Sequence, residues 1–162
     1  MYQWIVLLHI VGAFLFVIAH GASAWVVVAI RGETDPRRIR ALADLSSTSL
    51  VAAYIGLLLL LIGGIWAGIY SDWFKFGWIW VALGVFIAVA VAMYAIATPY
   101  FKRLRLALGQ RVMGLAKDAP DPVPAADGEI VAIAASAPAM ALNVIGFVGL
   151  LVILWLMVVK PF

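Results

Sequence analysis

Four stretches without a charged side chain, 1–30, 45–71, 76–101 and 130–159, occupy most of this 162-residue chain. Each exceeds the ~20 residues that carry a helix across a hydrocarbon core about 30 Å thick. Lipid offers no partner to a backbone N–H or C=O, so an isolated spanning run must close its own hydrogen bonds, which a helix does. The composition agrees: 67% hydrophobic and 12% charged, with a mean hydropathy of +1.13, against roughly 45–50% apolar for soluble domains. The expected fold class is all-α, an integral membrane bundle of four transmembrane helices in a single domain over 1–162, with helices near 2–30, 36–70, 76–113 and 136–159.

Charge placement predicts a topology. Of the 11 Lys and Arg residues, nine lie in two segments beside spans: Arg31, Arg37, Arg38 and Arg40, then Lys102, Arg103, Arg105, Arg111 and Lys117. Basic residues favour the cytoplasmic side, so 31–46 and 102–133 are expected inside and both termini outside a bacterial plasma membrane. This placement accounts for the net charge of +3 without nucleic acid. The first charge after Met1 is Arg31, so the first run lacks the basic start and short core of a cleaved signal and is expected to remain. Without cysteine there are no disulfides, thiolate metal sites or thiol redox steps.

Local signals set the ends. Asp35-Pro36 reads as an N-cap and first helical residue. The segment RRIRALADLSS then continues into the second span, and YFKRLRLALGQRVMGLA after Pro99 continues the third. Both form basic amphipathic extensions at the cytoplasmic surface. DAPDPVPAADG, 118–128, reads as an extended linker. Ser136 and Pro138 are placed to open the fourth helix, and Asn143 to bond across helices. Trp73, Trp78 and Trp80 read as an interfacial belt, and Gly12, Gly63 and Gly64 as sites of close helix contact. Each half also repeats an out-to-in helix, a basic segment and a return, with poor sequence identity.

His9 and His20 are the only histidines, and both lie within the first span. An ionisable group at bilayer depth is costly, so it faces the bundle interior and has a partner or binds something. Eleven residues correspond to about 20° of rotation and roughly 16 Å of rise, which places both on one face at two depths. Gly12 and Phe16 between them leave room for a planar ligand near the backbone. Imidazole is an axial ligand of haem iron, so His9 and His20 are the candidate iron ligands of a haem b. With no third histidine, Met93 and Met140 are candidate partners for His20, and Met157 for His9. Methionine also fills cores, and a buried histidine also bonds carbonyls of neighbouring helices, so packing roles stand beside these. The two histidines are too far apart to bind one ion together. No HExxH, nucleotide loop or nucleophile elbow is present.

The runs WIVLLHIVGAFLFVIAHGASAW, DPRRIRALADLSS, GWIWVALG and MYAIATPYFKRLR resemble an uncharacterised bacterial family of four-span integral membrane proteins in the broad group related to the membrane part of CopD. The same group includes protoporphyrinogen oxidases of the HemJ type. The resemblance implies haem b binding at His9, within LLHIVGAF. The HemJ-type lysine on a later helix has no clear counterpart, since Lys75 falls in an outer turn. The resemblance therefore carries haem binding further than oxidase activity. The expected function is a plasma-membrane haem protein in electron transfer or haem metabolism. The alternatives are a non-enzymatic subunit of a membrane complex and a small oligomeric transporter. The expected partners are the lipid bilayer, a second copy or a larger complex.

Overall fold

The computed structural model describes residues 1–116 and 118–162. Lys117, counted above in the second basic segment, lies outside the described residues. The chain is all-helical: α1 (Tyr2–Gly32), α2 (Pro36–Tyr70), a 3-10 turn at Trp73–Lys75, α3 (Gly77–Ala107), α4 (Asp127–Ala135) and α5 (Ala139–Val159). α1, α2, α3 and the unit of α4 with α5 are each long and apolar enough to cross a membrane. Their exposed leucines, isoleucines and valines face lipid.

The spans form two antiparallel hairpins, α1 with α2 and α3 with α5, and α1 also borders α5. Seven-residue spacing runs through both. The buried residues of α1 include Ile5, Gly12, Ala19 and Val26, and those of α5 include Leu142, Gly149 and Leu156. A strict heptad keeps one stripe on one partner by winding the helices about each other. With no hydrophobic drive between helices in lipid, small residues in that stripe gain dispersion energy by letting backbones meet. A Cβ at Gly12 would stand 2.9 Å from the Gly56 carbonyl oxygen, and one at Gly63 would stand 2.7 Å from the His9 nitrogen. A part-buried hydrogen bond between Ser23 Oγ and Ser46 Oγ, 2.9 Å, adds polar contact on the same seam.

The largest buried cluster lies at the basic end. Ile30, Ile39, Ala43, Leu104, Leu108 and Ala134 are almost wholly buried in one cluster joining α1, α2, α3 and α4. Arg40 donates to the Leu108 carbonyl. Arg105 donates to the Ala43 carbonyl at 2.7 Å and to Ser47 Oγ. These bonds tie α3 to α2 where the spans themselves are apart. Asp35 accepts from the Arg37 N–H at 2.9 Å, with Pro36 opening the helix.

Several expectations are corrected. α3 ends at Ala107 and does not reach 113, because Gly109 takes φ +72°. Its N–H then bonds to Leu106 and that of Gln110 to Arg105, the paired closure that a left-handed glycine permits at a helix end. The run after the linker begins as a separate helix, α4, and Ser136 to Pro138 break it before α5 starts at Ala139. Asn143 donates to Ala139 of its own helix, 2.7 Å, and not across helices. Trp78 is 2% exposed and packs with Ile79, Ala82 and Leu156. It is core, while Trp80 stays exposed with its indole N–H on the Phe74 carbonyl, 3.0 Å.

Candidate functional site

His9 and His20 leave α1 on its interior side but meet different helices. Relative to a heptad seam of 3.5 residues per turn, eleven residues correspond to about 50° rather than the 20° of a straight helix. This divergence is enough to point one ring at α2 and the other at α5. His9 Nδ1 lies 2.8 Å from the Leu60 carbonyl oxygen. The ring rests on Gly64, where an added Cβ would come within 2.9 Å of Nδ1, while Gly63 meets the His9 backbone and Cβ. A carbonyl only accepts, so Nδ1 donates and Nε2 stands outside that bond. This is how a metal-binding histidine is oriented, and also how a histidine locks two helices.

His20 lies between α1 and the second hairpin. Its ring is stacked on Phe16 one turn earlier, with centroids 5.3 Å apart and planes 8° apart. Across from it on α5, Gly146 presents no side chain. The position its Cβ would take is 3.9 Å from His20 Nε2 and 3.6 Å from Met93 Sδ of α3. An imidazole nitrogen and a thioether sulfur thus converge from two helices on the space over a glycine of a third.

Of the proposed ligand residues, the fold brings together His20, Phe16 and Met93. It does not bring in Gly12, whose face is covered by the α2 backbone at Gly56, Leu59 and Leu60, so no planar ligand can approach there. Nor does it bring in Met140, 75% exposed on the outside of α5. Met157 packs at the tryptophan end beside Trp78 and Leu156. Sequence reading missed Gly146, one of 14 glycines. Its signal was available only in retrospect, one turn after Leu142 on a heptad stripe. No group of three or more His, Asp or Glu side chains able to hold a metal occurs among the described residues.

The fold and this interior define an integral, multi-pass, four-span helical membrane protein in contact with the bilayer. Residues 3–161 match the family described as "Predicted integral membrane protein (DUF2269)", and the chain belongs to that family. No curated protein and no solved structure matches it.

Proposed function

We propose that this protein is a b-type haem protein of the bacterial plasma membrane, in which His20 and Met93 would hold the haem iron, with a role in electron transfer or haem metabolism. The observation that carries this reading is the convergence of His20 Nε2 and Met93 Sδ over Gly146. The donor set fits the group: imidazole and thioether are both axial ligands of haem iron. Gly146 puts no side chain between the two donors, and α1 borders α5 less closely than it borders α2. Phe16 holds the His20 ring by stacking, so its nitrogen is presented in one orientation. Bound haem would supply one-electron exchange in an apolar shell. In this reading the termini face outward and the loops 31–46 and 102–133 face the cytoplasm, as the clustering of basic residues favours.

A second reading, a non-enzymatic subunit of a membrane complex, is favoured by His9. Its hydrogen bond to Leu60 and its seat on Gly63 and Gly64 satisfy it as a helix contact without any ligand. Haem titration into the detergent-purified apoprotein separates the two. The haem reading expects saturation at one equivalent with a shifted Soret band, abolished by Gly146→Leu, which fills the space between the donors. Absence of saturable binding in a protein of native helicity refutes it and leaves the subunit reading.

A further inference from the structure

At the basic end, a groove of about 420 Å³ opens between the end of α3 and α4. Leu106, Ala107 and Ile133 supply apolar lining, and Lys102, Arg103 and Glu129 supply charge. Those three charged side chains are exposed. The ion pairs of the described residues lie elsewhere, at Arg38, Lys75 and Arg111. Lys102 and Arg103 directly follow the uncharged run that ends at Phe101, so the groove sits where a span leaves hydrocarbon for the headgroup layer.

We propose that this groove binds an amine-bearing phospholipid of the phosphatidylethanolamine type. Lys102 and Arg103 take the phosphate, Glu129 takes the primary ammonium, and Pro99 and Ile133, one turn toward the membrane from those charges, cover the first carbons of the acyl chains. The charges select this class. A site of lysine and arginine alone would accept any anion, but a carboxylate beside them repels a second negative charge and calls for a cation with N–H donors. An anionic lipid or free phosphate leaves Glu129 unmatched. A choline headgroup carries a cation with no N–H to donate. Attraction of about 1 kcal/mol per surface charge corresponds to about five-fold in retention for each matched contact.

The test uses the full chain in phosphatidylcholine nanodiscs doped with phosphatidylethanolamine or with phosphatidylglycerol, followed by detergent extraction and native mass spectrometry of retained lipid. The wild type is expected to retain phosphatidylethanolamine about five-fold over either competitor. E129Q is expected to lose the preference over phosphatidylcholine, and K102Q with R103Q to cut phospholipid retention about 25-fold. These surface changes leave helicity intact, which circular dichroism checks on each sample. Equal or stronger retention of phosphatidylglycerol by the wild type overturns the proposal, as does an E129Q protein with unchanged preference or a wild type that retains no lipid.

Discussion

Gly12→Ala probes the seam that holds α1 against α2. The added Cβ would lie 2.8 Å from the Leu59 carbonyl carbon and 2.9 Å from the Gly56 oxygen, and would also press on the Leu60 nitrogen. All three are backbone atoms of α2, so no rotamer change relieves the overlap. Restoring ordinary contact at 3.4 Å requires the helices to part by at least about 0.6 Å at the Leu59 carbon, and by more at the closer Leu60 nitrogen. That movement lengthens the 2.8 Å His9–Leu60 bond to about 3.4 Å or more, past the 2.7–3.2 Å range of N–H···O bonds. Overpacking costs about 1–3 kcal/mol and the weakened bond about 1 kcal/mol, against a gain of about 1 kcal/mol from alanine's helix propensity. The expected net loss is therefore about 1–3 kcal/mol. Gly21→Ala on the same helix is the control, since nothing lies within 4 Å of its Cβ; it should be neutral or stabilising by up to about 1 kcal/mol. Reversible unfolding in mixed micelles should separate the two variants by about 1–4 kcal/mol, and nitrogen NMR of His9 should show its ring bond weakened only in Gly12→Ala. Equal stability of the two proteins would refute the close approach.

Ser46 is 1% exposed and bonded to Ser23. Ser46→Ala should cost about 0.6–1.7 kcal/mol in the same assay, and the Ser23 and Ser46 double alanine variant should cost less than the sum of the single variants. At the tryptophan end, Lys160 Nζ stands 4.2 Å from the Trp73 ring centroid, while the Phe162 carbonyl accepts the Trp78 N–H at 3.2 Å. Lys160→Gln should remove about 0.5–1 kcal/mol and alter tryptophan fluorescence without changing helicity. In the α1–α2 loop, Glu33 accepts the Asp35 and Thr34 N–H groups at 3.0 and 2.8 Å, and these bonds hold its carboxyl below its ordinary value of 4.5. A depressed folded-state pKa means that this contribution is complete above the ordinary value and is lost as pH falls through the folded one. An acid titration of unfolding should therefore show a stability loss as pH falls from 4.5 through the lower folded-state value in the wild type, and Glu33→Gln should lack it.

The spans were legible because lipid imposes one demand, internal backbone bonding, that any long uncharged run must meet as a helix. The start of α2 was legible because Asp35 and Pro36 act on their immediate neighbours. The end of α3 was written in Gly109, but the amphipathic pattern of Val112 and Leu115 beyond it reads as continuing helix. α4 was not legible as a packed element, since its nine residues are too few for a periodic pattern. What holds it is contact of Ile130, Ile133 and Ala134 with three other helices. The histidines show the same division. Their depth and interior side follow from position in the run, whereas their partners depend on supercoiling between α1 and α2. Met93 was legible as a candidate for His20. Gly146, the residue that lets them converge, was not, because a glycine's bare face has meaning only once its neighbours are known.

The central claim is tested most directly by absorbance spectra of the detergent-purified protein from haem-replete cells, oxidised and then dithionite-reduced, beside His20→Ala, Met93→Leu and His9→Ala. The account predicts a Soret band with sharpened reduced α and β bands, lost in His20→Ala, altered in Met93→Leu and kept in His9→Ala. A colourless, iron-free wild type would contradict it, as would a chromophore indifferent to His20 and abolished by His9→Ala.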